Sequence, residues 1–195
     1  MKKESVIERR DQPKSNFILY FKVLKPLMLS HHPKCENFSN HTLRIGRNNL
    51  CIGCFIGYPT AIIEIVILGC LNIVIAFDPF ILISWGMILM GSFILSPLHL
   101  TAFKSVKIAQ KFFIGSGAAF LFWGIFSFDN PLIINFLIFL AVFSVLLALL
   151  NGYHVYGFLK TCKQCEYSSN WKTCPGFKEF MYYLNDHDLP NIFPD

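Results

Sequence analysis

Charge is scarce in the middle of this chain of 195 residues. Between Asn48 and Leu159 the only charged side chains are Glu64, Asp78, Lys104, Lys107, Lys111 and Asp129. A water-exposed surface carries roughly a quarter or more Lys, Arg, Glu and Asp, so this stretch is not the outside of a soluble domain. Its apolar content excludes a disordered chain, and its length of uncharged sequence excludes a small secreted disulfide scaffold. There is no Walker loop, no paired zincin histidines and no Ser/His/Asp arrangement, which leaves enzyme activity unsupported without ruling it out. Residues 1–16 are polar, with no apolar run ahead of a cleavage site, so they do not read as a signal peptide. No repeat or low-complexity segment stands out.

What the chain has is apolar length. A bilayer core about 30 Å thick is crossed by roughly 20 apolar helical residues, and four segments qualify: 55–77, 80–100, 112–128 and 131–152. The runs are continuous rather than alternating, which argues for helices over barrel strands. Asp78-Pro79 and Asp129-Asn130-Pro131 read as tight turns, each with a proline suited to the first turn of the next helix. His99–Lys111 reads as a basic loop between two antiparallel hairpins. Ten Lys and Arg precede the first segment, three lie in that loop and four follow the last, which accounts for all 17. An even number of crossings puts these regions on one side, and the positive-inside rule makes that side the cytoplasm. The expected protein is therefore a multi-pass protein of the cell membrane with both termini cytoplasmic.

The fold class expected is all-α: a four-helix transmembrane bundle over 55–157, with a small cytoplasmic, zinc-stabilised cap built from 1–54 and 158–195. The apolar stretch Phe17–Leu29 is too short to span. It reads either as a helix lying in the interface or as part of the cap. Phe177, Phe180, Met181 and Leu184 keep helical spacing and predict a short helix.

Seven cysteines are present. Cys70 lies alone in the first span and reads as a small buried hydrophobe. The others form two groups at the cytoplasmic ends of the spans: Cys35, Cys51 and Cys54, with His31, His32 and His41 nearby, and Cys162, Cys165 and Cys174. The cytoplasm disfavours disulfides, and two Cys-x-x-Cys turns with neighbouring Cys and His present soft ligands at the spacing zinc uses. The expected metal ligands are Cys35, His41, Cys51, Cys54, Cys162, Cys165 and Cys174, holding one or two zinc ions. A local grouping joins Cys35, His41, Cys51 and Cys54. It leaves Cys162, Cys165 and Cys174 with a histidine such as His187, His31 or His32. A crossed grouping joins Cys51/Cys54 to Cys162/Cys165 and leaves Cys35 and Cys174 with two histidines. The local grouping is favoured because its ligands are close in sequence. His31 and His32 taken singly read as loop histidines. The high cysteine count makes a closed, structural site the expectation.

Inside the spans, Glu64 sits roughly 13 Å deep from Phe55 at 1.5 Å per residue. Its expected partners are hydroxyls at similar depth, Ser92 and Ser144, with a proton- or substrate-binding role as the other reading. Tyr58, Ser96, His99, Asn151, Tyr153 and His154 are placed nearer the surface, as a polar vestibule or singly as interfacial anchors and caps. Asn72 reads as a cap toward the far side. The small-residue pairs Gly57/Ala61 and Gly115/Ala119 read as close helix contacts within one chain.

The run HHPKCENFSNH…LCIGCFIGYP resembles a family of predicted multi-pass membrane proteins of unknown function. The shared features are Cys35, Phe38, Cys51, Cys54 and Gly57, with His32 or His41 as the histidine. This chain lacks that family's adjacent Cys-His pair and its Arg before the Phe. The resemblance implies a membrane Cys/His module and supplies no activity.

The function expected is a membrane-anchored docking or complex-organising module with a structural zinc cap. Its partners are the lipid bilayer and a cytoplasmic protein. Nucleic acid is not expected, since no nucleic-acid-binding fold is recognisable. The alternatives are a thiol–disulfide oxidoreductase working through the Cys-x-x-Cys pairs, and a small proton-coupled or metal transporter using Glu64.

Overall fold

A computed structural model of the chain describes residues 29, 30, 32, 35–46, 48–167, 170 and 173–186. The stretch 17–28, the signal-peptide question at 1–16, His31 and His187 lie outside them.

Ahead of the long helices stand a 3-10 turn, Glu36–His41, and a hairpin of β1 (Thr42–Ile45) and β2 (Asn48–Cys51). The strands are antiparallel, with Thr42 opposite Cys51 and Ile45 opposite Asn48. Gly46 takes φ +60° in the tight connection, where the lack of a Cβ removes the strain. The hairpin is an addition to the expected all-α fold. Its arms are four residues long, too short for their alternation to register.

Helix makes up most of the rest. α1 (Tyr58–Val74) opens on a π-helical turn, Gly53–Gly57. α2 (Pro79–Met90) continues as a 3-10 helix, Gly91–Leu95. α3 is Lys104–Phe126, α4 is Leu132–Lys163, and α5 (Lys178–Asp186) lies where the spacing from Phe177 to Leu184 predicts a helix. Asp78 caps α2, its Oδ1 accepting from the amides of Phe80 at 2.8 Å and Ile81 at 3.1 Å, with Pro79 in the first turn. Asn72 Oδ1 accepts from the amide of Phe77 at 3.2 Å and so holds the connection before α2. At the α3–α4 connection, buried Asn135 donates to the Phe128 carbonyl at 3.0 Å and accepts from Asn130 at 3.2 Å.

Three helical stretches are long and apolar enough to cross a membrane: Gly53–Asn72, Lys104–Phe126 and Leu132–Lys163. The fourth apolar helix, Pro79–Leu95, is shorter, so the segment 80–100 does not run its expected length. Pro97 cannot continue the hydrogen-bond ladder. Buried Gln110 takes up the loose carbonyls of Ser92 at 3.1 Å and Phe93 at 3.3 Å and bonds Ser96 Oγ at 2.8 Å. His99 then turns through the left-handed region, φ 58°. The other two differences run the opposite way. α3 begins at Lys104, inside the expected loop, and α4 extends to Lys163. An apolar run marks only the part of a helix suited to lipid, whereas lysine is a good helix former and lets α3 continue past it.

The helices radiate from α3. α1 lies parallel to it, Gly57 and Ala61 meeting Gly115 so closely that a Cβ on Gly115 would collide with the Gly57 carbonyl. Farther along, Trp123 Nε1 donates to the Ile65 carbonyl at 2.7 Å. Gly69 permits this, since a Cβ there would stand 2.6 Å from the indole. α2 runs antiparallel to α3, with Gly86 against Leu121 and Gly117 against Met90. α4 touches α3 more lightly, through Phe139 against Phe122 at 5.2 Å and Phe126 at 5.9 Å between ring centroids. The described helices therefore fan out from a hub rather than closing a ring. Leu132, Phe80 and Val74 face outward while Ala119, Ser116 and Gln110 are buried. An outer surface this apolar is compatible with a membrane location.

Candidate metal centre

α4 carries the centre because it outlasts its apolar run. His154, Phe158 and Cys162 recur every fourth residue and so share one helix face. The segment ahead of the hairpin lies along that face. The His32 ring stands 4.9 Å from His154 and 4.9 Å from His41, measured between centroids. Phe38 packs on Phe158 at 5.3 Å and on His32 at 5.2 Å. The 3-10 turn Glu36–His41 presents Phe38 and His41 together to this face. The Asn40 side-chain amide donates to the Ala102 carbonyl at 3.3 Å, tying the turn to the α2–α3 loop.

The result is a trio of imidazoles. The ligand nitrogens of His32, His41 and His154 all lie within 4.8 Å of one another, and His32 is buried. Ligand nitrogens 2.0–2.1 Å from a tetrahedral zinc stand about 3.3 Å apart, so a modest closure would complete a site. Burial pushes the His41 imidazole down to about 3, Lys107, His32 and His154 push the same way, and Cys51 opposes them. A neutral imidazole offers the lone pair that a metal needs. Three imidazoles suit zinc, copper, iron or nickel, and they leave a fourth position for water or another ligand.

The expected site residues fall into several neighbourhoods. His41 joins the trio. Cys51 is buried beneath it, and its side chain hydrogen-bonds that of Cys54. Cys35 is half-buried, with Cys174 and Cys165 as electrostatic neighbours, and Cys162 has Cys174, Cys35 and Cys165. None of the seven cysteines is in a disulfide. Among the described residues the imidazole trio is the only set of three or more metal-ligating groups within 4.8 Å. Neither the local nor the crossed grouping forms such a set.

The polar residues of the spans are also partnered differently. Glu64 Oε1 accepts from Ser116 Oγ at 2.6 Å. Ser144 is exposed on α4, and the buried Ser92 hydroxyl has no hydrogen-bond partner among the described residues. The depth count omitted Ser116 because it began the third span at residue 112, whereas α3 begins at Lys104 and carries Ser116 deeper. Of the vestibule residues, His154 goes to the trio, Ser96 to Gln110 and Tyr153 to Phe93 at 5.2 Å, while Tyr58, His99 and Asn151 are exposed. Cys70 is exposed on α1 rather than buried.

The chain matches no protein family, no curated protein and no solved structure. The resemblance of the Cys/His run rests on those residues alone. Sequence reasoning set His32 aside as a loop histidine and His154 as an anchor or cap. The repeat of His154, Phe158 and Cys162 was the signal available. It was hidden by ending the helix where the apolar run ended.

Proposed function

We propose that the chain is an integral membrane protein crossing the bilayer four times, with a zinc-stabilised cytoplasmic cap made from both ends, and that it docks a cytoplasmic partner or organises a membrane complex. One observation carries this reading: imidazoles from segments more than a hundred residues apart in sequence meet within 4.8 Å at one end of the helices. The approach to α1 and the exit from α4 both contribute to that meeting, which supports an even number of crossings. The short helix Pro79–Leu95 is consistent with the count. At 1.5 Å per α-helical and 2.0 Å per 3-10 residue it extends about 28 Å, close to the bilayer core. Beside the cap lie Lys104 and Lys111, half-buried and suited to the anionic inner leaflet, whereas Lys107 is buried.

The test is elemental analysis of the full-length protein purified in detergent, with a count of reactive thiols. Bound zinc, with one ion fewer in His41→Ala and in His154→Ala, is the expected result. A metal-free protein with intact imidazoles would end the reading. It would move weight to a thiol–disulfide oxidoreductase, which the hydrogen-bonded Cys51/Cys54 pair at the head of α1 favours.

A further inference from the structure

We infer that the chain holds a second zinc ion, bound by the thiolates of Cys35, Cys162, Cys165 and Cys174 and separate from the imidazole trio. The inference deepens the proposed function, because it rests on the same two segments forming a cap. Its ground is the α4 face. One turn beyond His154 the contact between segments passes to Phe158 and Phe38. One turn beyond Phe158 is Cys162, and three residues before Phe38 is Cys35. Both cysteines therefore stand next to the same aromatic contact.

The backbone brings the other two in. At the end of α4 the amide of Cys165 bonds the Cys162 carbonyl at 3.2 Å, closing a tight turn between the two cysteines. The amide of Cys174 bonds the Asn170 carbonyl at 3.1 Å, and the amide of Phe177 bonds the Cys174 carbonyl at 3.0 Å, so Cys174 also sits in a turn. Phe177 is buried and anchors that turn. On the other segment Cys35 heads the 3-10 turn, its carbonyl accepting from the amide of Phe38 at 3.2 Å. Each of the four is half-buried. The mutual electrostatic coupling of Cys35 and Cys162 with Cys165 and Cys174 places all four in one neighbourhood.

Four soft sulfur ligands select a tetrahedral, thiophilic cation, and a redox-inert closed site is characteristic of structural zinc. The thiols stand farther apart than the imidazoles, so binding draws Cys165 and Cys174 toward the end of α4 and releases the thiol protons. The two sites differ in kind: this one is closed by four protein ligands, whereas the trio keeps an open position.

Zinc per chain, measured on the full-length protein in detergent, should be two. The double variant Cys162→Ser/Cys174→Ser should retain one ion, as should His41→Ala/His154→Ala. Cobalt-substituted protein should show an intense sulfur-to-metal charge-transfer band that the histidine variant keeps and the cysteine variant loses. An unchanged zinc content in the cysteine variant, iron in place of zinc, or a cobalt spectrum of the unaltered chain without that band would each overturn the inference. Loss of zinc from the histidine variant alone leaves the proposed cap standing and this site refuted. Loss from the cysteine variant alone supports this site and removes the metal from the imidazole trio. If the cysteine variant does not fold, the cobalt spectrum of the unaltered chain decides.

Discussion

The helical region and the cap are held together by opposite means. Around α3 the contacts come from what side chains leave out: Gly115 admits the α1 backbone, and Gly69 admits the Trp123 indole. In the cap the contacts come from side chains that reach across: His32, His41 and His154, then Phe38 on Phe158. In lipid the hydrophobic effect does not favour one helix partner over another, so close approach and a few hydrogen bonds must do so. In water a cap this small lacks a sufficient core, and a metal ion held by the imidazoles would supply the missing stability.

The contrast makes unequal predictions. The largest concerns metal removal. Dialysis against a strong chelator should cost the cap on the order of 10 kcal/mol, by the scale of small zinc domains, and leave the helical region intact. Limited proteolysis should then cut within 35–51 and 164–177 while 58–150 stays protected. A cap that resists protease without metal would remove the distinction. Next is Gly115→Leu, which wedges α1 from α3 and should cost about 1–3 kcal/mol as an overpacked contact. Unfolding in detergent should show the loss, and metal content should not change. Trp123→Phe keeps most of the ring and loses the bond to the Ile65 carbonyl. The expected cost is about 1 kcal/mol, and a neutral result would show the bond to be incidental. Smallest is Ser116→Ala, which takes away the Glu64 partner. It should cost about 0.6 kcal/mol, typical of hydrogen bonds between membrane helices. A large loss of function at unchanged stability would instead point to Glu64 as a working group.

The positions of the four apolar helices were legible because lipid solvation is a property of a run of residues, and a run can be read directly. Asp78-Pro79 and the Asn130 turn were legible for a similar reason, since caps are local. The small-residue contact of Gly57 and Ala61 with Gly115 was also readable from spacing. Partner choice was not. Glu64 meets Ser116 because α1 lies parallel to α3, and nothing in either segment states which helices adjoin or by which face. The imidazole trio was half legible. His41 stood out by its nearness to cysteines, but His32 and His154 acquire their role only where two distant segments meet. The stretch 104–111 shows the same limit from another side: polar residues ended the apolar run without ending the helix.

The length of α4 sets its two ligand levels apart. At 1.5 Å per residue, His154 stands about 33 Å from the start of the helix and Cys162 about 45 Å. If the chain crosses four times, as proposed, a core about 30 Å thick would make α4 a mast with its imidazoles at the level of the lipid headgroups and its thiols clear in the water. Chelators that partition into bilayers and chelators confined to the aqueous phase would then reach the two levels in opposite order.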